Sequence, residues 1–229
     1  MKTVFLFLLI FLLGSSCASF SVCCGWRFAH SISLFVPSSF CEHCHHRLKL
    51  YQLIPLLSFC LQRGHCFFCG QQIARTSTVV ELLFGGYSVL LFWHANPISF
   101  LFLFIVALWS LILSMQDYYS RTVSATFLLG GAFLMLSISF VVQKKLLNDW
   151  GIILPLAALL LLLVLLKKMG SADLYYLLFV MLAFGTLATL FTCLFASLGA
   201  LCFNYFSLKK EIPFIPYLSS GILLFFLIV

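Results

Sequence analysis

Leu174–Leu208, LYYLLFVMLAFGTLATLFTCLFASLGALCFNYFSL, runs for 35 residues without a charge. A single membrane helix needs only about 20 apolar residues. The stretch is too long for one span and just long enough for two that turn tightly. Phe184-Gly185-Thr186 is the natural break, because glycine admits the backbone angles a sharp reversal needs. Reading outward at about 15–22 apolar residues per span, further segments fall near Val4–Cys24, Thr78–Trp93, Pro97–Met115, Thr122–Val142, Trp150–Leu166 and Ile212–Val229. The expectation is an all-α polytopic membrane protein with about eight transmembrane helices. Seven is the alternative.

Composition agrees. The chain of 229 residues is 63% hydrophobic and 8% charged, where a soluble domain carries roughly 25% charge. The net charge of +7 is therefore loop charge that sets orientation, and no aromatic-interleaved basic stripe points to nucleic acid. With eight spans and an outside N-terminus, the inside holds Arg27, Arg47, Lys49, Arg63, Arg75, Arg121, Lys167, Lys168, Lys209 and Lys210. The outside keeps Lys2, Lys144 and Lys145, with Asp149 in the outside loop before the fifth span. Ten basic residues against three is a strong positive-inside bias. Seven spans would move Lys209 and Lys210 outside and weaken it. The first apolar run exceeds the usual signal-peptide core and reads as an uncleaved membrane helix.

The only large polar segment, roughly Gly25 to Ser77, carries Cys41-Glu42-His43-Cys44 and Cys66-Phe67-Phe68-Cys69. Two such knuckles suit a tetrahedral thiolate site for one zinc, with Gly70 easing the turn after the second. Two disulfides are the competing reading, disfavoured in a cytosolic loop. His43, His45, His46 and His65 read as solvated loop residues. Cys17, Cys23, Cys24, Cys60, Cys193 and Cys202 lie in or beside apolar runs and behave as small apolar side chains.

Two acids fall at what the segment pattern reads as the starts of apolar helices. Asp117 is placed in the short inside loop before the fourth span, and Asp173 just after Lys167-Lys168 at the start of the sixth. Each alone reads as well as a helix N-cap. Ionisable groups at a bilayer boundary are costly and usually functional, and two on one face suggest an intramembrane aspartic peptidase. Glu81, near the start of the second span, reads either as an interfacial residue or as a supporting acid.

The assembled pattern resembles the type 4 prepilin peptidases, including the members that process competence pseudopilins. Gly14-Ser15-Ser16 with Ala18-Ser19-Phe20 is similar to the family's opening span. The stretch from Cys41 through Leu53-Ile54-Pro55-Leu56-Leu57-Ser58 to Cys69-Gly70-Gln71 resembles its metal loop. Val80-Glu81-Leu82 resembles the start of its second span, and Ile212-Pro213-Phe214-Ile215-Pro216-Tyr217-Leu218 its closing signature. Asp117 stands where the first catalytic Asp is expected. Gly170, Ser171, Ala172 and Asp173 stand at the Gly-x-Gly-Asp motif, with Ala172 for its second Gly. Gln52 stands where the family usually has Asp, and Thr122-Val123-Ser124 where Ile-Pro is common.

The resemblance implies a multi-pass protein of the plasma membrane. Residues 1–95 would hold the first helix, the zinc loop and the second helix; residues 96–229 would hold the peptidase helices. It implies cleavage of a basic leader from prepilin-like or pseudopilin precursors at the cytoplasmic face, amid membrane lipids. Asp117 and Asp173 would be catalytic, with no cofactor for that step and a structural zinc on Cys41, Cys44, Cys66 and Cys69. Larger members also N-methylate the new terminus from S-adenosylmethionine. The loop here leaves that second activity open, with no Gly-rich nucleotide motif beside it. The rival classes are a multi-pass carrier with ion-binding acids, which should show matching interrupted halves, and a structural membrane subunit stapled by zinc.

Overall fold

The computed structural model describes residues 2–34, 39–143, 150–207 and 212–228. Lys144, Lys145, Asp149, Lys209 and Lys210 lie outside the described residues. Within them the structure is helical: α1 (Lys2–Ala29), a 3-10 turn (Leu50–Leu53), α2 (Leu57–Leu61), α3 (Arg75–His94), α4 (Pro97–Ser120), α5 (Ala125–Gln143), α6 (Trp150–Leu165), α7 (Ser171–Phe184), α8 (Thr186–Ser207) and α9 (Ile215–Ile228). The apolar helices coincide with the eight segments of the hydropathy pattern. Those in α1, α3, α4 and α8 are long and apolar enough to cross a membrane, and α5, α6, α7 and α9 are shorter apolar helices. The chain is a multi-pass helical membrane protein.

The break in the long uncharged stretch falls at Gly185, where φ is +91° and the Gly185 N–H closes α7 on Met181 O at 3.0 Å. Helix α9 starts later than the apolar run does, at Ile215. Pro213 and Pro216 explain this: the residue before a proline avoids the helical region, and a proline suits only the first turn.

Met1–Ala95 and Asn96–Val229 form two compact units. In the first, α1 packs along α3 through small residues. A Cβ on Gly14 would collide with Ser88, and one on Gly85 with Ser15 and the Phe11 ring. Ser15 donates its hydroxyl to Glu81 O at 3.0 Å. Close backbone approach is the main source of helix association where the surroundings are as apolar as the side chains. In the second unit, α4 packs against α5 and α9, and α7 against α5, α6 and α8. Trp109 of α4 stacks on Tyr176 of α7 with ring centroids 5.8 Å apart. Gly221 brings α9 onto the α8 backbone, where a Cβ would stand 2.9 Å from Thr192 O.

Candidate active site and metal centre

The carboxylate pair lies in the second unit. Asp117 is not in a loop before α5, as the apolar pattern suggested, but in the last turn of α4, where it is buried. The helix runs on past Met115 and stops at Arg121, which takes the left-handed conformation (φ +55°) and returns its N–H to Asp117 O at 2.9 Å. The N-cap reading of Asp117 is thereby corrected. A carboxylate in a last helical turn meets the negative end of the macrodipole, an unfavourable place that a neighbour must offset. Helix α9 does so: its first residue donates the Ile215 N–H to Asp117 Oδ2 at 3.1 Å. The Phe214 amide and the Arg121 charge also act on this carboxylate.

Asp173 is the third residue of α7, behind the N-cap Gly170. Its Oδ2 reaches back to accept the Gly170 N–H at 3.3 Å, which an acid in a first turn does readily. A Cβ on residue 170 would stand 3.0 Å from that oxygen, so the glycine leaves room for the carboxylate. Ser171 is exposed and Ala172 half-buried, like Asp173 itself. The Asp117 charge acts on Asp173. The structure thus brings together the C-terminal end of α4 and the N-terminal ends of α7 and α9, with a carboxylate from each of the first two.

A buried hydroxyl seam runs from this point into the helices. Tyr176 donates to Ser110 Oγ at 2.8 Å, Ser114 donates to Ser110 O at 2.7 Å, and Ser114 and Ser219 share a hydrogen bond between their hydroxyls. Ser110, Ser114 and Asp117 are spaced four and three apart, as are Asp173 and Tyr176 by three. Each set therefore shares a helix face. Sequence reading missed Ser110, Ser114, Tyr176 and Ser219. Their hydroxyl periodicity was the available signal.

The cysteine cluster belongs to the first unit. The Sγ atoms of Cys41, Cys44, Cys66 and Cys69 all lie within 4.8 Å of one another. Two knuckles of the same backbone design build it. In one, Phe40 bridges Arg47, Cys41 N–H donates to His46 O, and His45 N–H donates to Cys41 O. In the other, His65 bridges Gln72, Cys66 N–H donates to Gln71 O, and Gly70 N–H donates to Cys66 O. Both turns need a left-handed residue. Gly70 supplies it at φ +70°, and His45 occupies the equivalent place at φ +55°. The His46 and Phe68 rings join the two knuckles, with centroids 3.4 Å apart. The N–H groups of Cys69 and Phe68 pull the Cys66 thiol down to about 7, favouring the thiolate.

The donor set fits a metal. Four sulfurs at about 2.3 Å from one zinc stand about 3.8 Å apart, and Cys41 Sγ to Cys69 Sγ is 3.9 Å. That is far beyond a disulfide bond, and all ten cysteines are free. No histidine joins the cluster among the described residues.

Glu81, read from the sequence as an interfacial residue or a supporting acid, is only 6% exposed. It is buried on α3, where Oε2 accepts the Leu56 N–H at 2.9 Å and Oε1 the Ser77 hydroxyl at 2.9 Å. Leu56 holds φ +61°, a costly angle for a leucine, so the carboxylate pins a strained turn of the loop. Gln52 is buried as well. Its Oε1 accepts the Lys49 N–H at 2.8 Å, as an Asp would, while its Nε2 reaches Gln62 at 3.5 Å.

Residues 12–95 match the model of the bacterial peptidase A24 N-terminal domain. This stretch belongs to that family. It holds the metal loop and both flanking helices, and it ends before Asp117. The chain is 38% identical over 81 residues to a prepilin leader peptidase/N-methyltransferase of Dichelobacter nodosus, covering 35% of this chain and 28% of the relative. It is 35% identical over 75 residues to one of Bacillus subtilis, covering 33% and 30%. A type 4 prepilin-like proteins leader peptide-processing enzyme of Escherichia coli O78:H11 is 40% identical over 52 residues, 23% of this chain and 19% of the relative. The matches thus span less than a third of these relatives' lengths. No solved structure matches the chain.

Proposed function

We propose that the chain is an intramembrane aspartic endopeptidase that removes the basic leader of type IV prepilin-like or pseudopilin precursors at the cytoplasmic membrane face. The observation that carries this reading is the pair Asp117 and Asp173, presented by the facing ends of α4 and α7 within electrostatic reach of each other. Two such carboxylates hold one proton between them. The ionised partner takes a proton from water, whose oxygen attacks the scissile carbonyl. The protonated partner donates to the carbonyl oxygen as the tetrahedral centre forms; the proton taken from water then passes to the amide nitrogen, the C–N bond breaks, and the released carboxyl returns a proton to the pair. The pair titrates as a unit, so neither Asp is assigned the acid role. The Ile215 N–H on Asp117 and the Gly170 N–H on Asp173 keep each carboxylate aimed.

The names of the relatives support the substrate class. Zinc on Cys41, Cys44, Cys66 and Cys69 would supply folding energy to a loop with little apolar core. The test is cleavage of a synthetic precursor with a basic leader, a glycine and an apolar helix by the purified protein. Asp117→Asn and Asp173→Asn should each be inactive yet folded. A variant that still trims the precursor at the normal rate would rule out the aspartic mechanism, whereas a wild-type protein that trims nothing would leave the zinc-stapled subunit, or a carrier, as the better reading. Because the relatives' names include N-methyltransferase, S-adenosylmethionine belongs in the assay, with methyl incorporation as a separate readout.

A further inference from the structure

The segment from Leu50 to Gln62 has its burial inverted. The polar Gln52 and Gln62 are 4% and 7% exposed, while Leu50 is 86%, Leu57 50% and Leu61 54% exposed. A loop bathed in water would order these residues the other way. A contiguous exposed apolar strip marks contact with a membrane or a protein. This one is flanked by Lys49 and Arg63 and is tied to the apolar helix α3 by the Leu56 N–H on Glu81, the arrangement of a segment lying in the headgroup layer.

Beside the strip is a cavity of about 330 Å³. Phe59, Ile73 and Val79 give it apolar walls, Arg63 and Arg75 make its lining cationic, and His65 adds a polar ring. The backbone builds it. Gly64 at φ +72° accepts the Ile73 N–H at 2.8 Å. That bond ties the Arg63–Gly64 turn to the segment entering α3, whose first residue is Arg75. His65 donates Nδ1–H to Arg63 O at 2.8 Å, leaving Nε2 free. Neither arginine has an acidic partner among the described residues. Glu81 is engaged by Leu56 and Ser77. Two guanidinium groups sharing a cavity without a counter-charge are matched by a phosphate, whose oxygens the planar forks bind in pairs.

We propose that this cavity binds the phosphate of an anionic phospholipid headgroup, with Arg63 and Arg75 on its oxygens and Phe59, Ile73 and Val79 along the glycerol and first acyl carbons. Free phosphate shares the chemistry, but the exposed leucines and the start of α3 place the cavity at a lipid surface. Anionic headgroups line the cytoplasmic leaflet, where the basic loops are expected to lie. The zinc loop is then held to the membrane at a third point besides α1 and α3, and its anchoring depends on lipid charge.

The test is lipid retention by the full chain, read by native mass spectrometry with phosphatidylglycerol, phosphatidylcholine or inorganic phosphate added. Phosphatidylglycerol should be retained preferentially. A basic residue near an anionic surface contributes about 1 kcal/mol, so Arg63→Gln or Arg75→Gln should weaken retention about fivefold and the pair about thirtyfold. Arg47→Gln, an exposed charge in the same loop outside the cavity, should leave it unchanged, and all variants should keep their metal. If the double Gln variant does not fold, Arg63→Lys with Arg75→Lys keeps the charge and removes the forks, and retention should still fall. Equal retention of both lipids overturns the proposal, as does an equal loss with Arg47→Gln. Phosphate binding without phosphatidylglycerol preference assigns the cavity to the free ion instead.

Discussion

The cysteine loop and the carboxylate pair are built in opposite ways. The loop's four sulfurs come from two contiguous knuckles whose internal hydrogen bonds, from Cys41 to His46 and Cys66 to Gln71, set the ligand geometry locally. The carboxylates come from helices whose residues are distant in sequence. Asp117 is held by the Ile215 N–H, 98 residues away, with the Phe214 amide acting on it as well, and Asp173 by the Gly170 N–H. A local site survives changes in the rest of the fold, whereas a site assembled from helix ends fails when any of its helices shifts.

The strongest way to break this contrast is at the pair itself. Asp117→Asn and Asp173→Asn should each lower leader cleavage by about 10²–10⁴-fold, the range of general acid–base catalysis, with membrane insertion and zinc content unchanged. If either variant also lost zinc, the two sites would not be independent. The converse change is Cys44→Ser, which should drop zinc well below the expected one or so per chain, measured by metal analysis, and leave the second unit's helices intact by circular dichroism. The wild-type cluster should also release metal on acidification. Thiolate is the binding form, so protons compete with the metal for all four sulfurs as pH falls.

A smaller effect sharpens the comparison. Gly170→Ala places a Cβ 3.0 Å from Asp173 Oδ2, so the carboxylate must move by a few tenths of an ångström. Cleavage should fall about tenfold, because misplacement of a reacting group is expensive even below 1 Å. Tyr176→Phe should do least. It removes the hydroxyl bonded to Ser110 and should lower stability by about 1 kcal/mol, seen as a reduced melting temperature with cleavage nearly unchanged.

The same contrast explains what could be read in advance. The two knuckles are complete as a string of residues, and the Sγ cluster follows from them. The apolar segments and the reversal at Gly185 were also legible, because span length and glycine geometry are local properties. Asp117 was misplaced by an element: Asp117-Tyr118-Tyr119-Ser120 is polar enough to read as loop, yet it stays helical until Arg121 turns left-handed. The Ile215 N–H on Asp117 and the Leu56 N–H on Glu81 are backbone groups, which carry no side-chain signature. Ser110, Ser114, Tyr176 and Ser219 sit in strongly apolar helices, where isolated hydroxyls pass for filler until their partners on other helices are known.

Helix α7 is 14 residues long and begins beside the carboxylates. At 1.5 Å per residue it rises about 21 Å, against a hydrocarbon layer of about 30 Å. The difference has to be absorbed by a locally thinner bilayer or by headgroups and water drawn inward. A lipid surface drawn inward beside α7 would bring water to the carboxylates from the side. An apolar helix lying in the bilayer could present its polar end there without being lifted out of the oil.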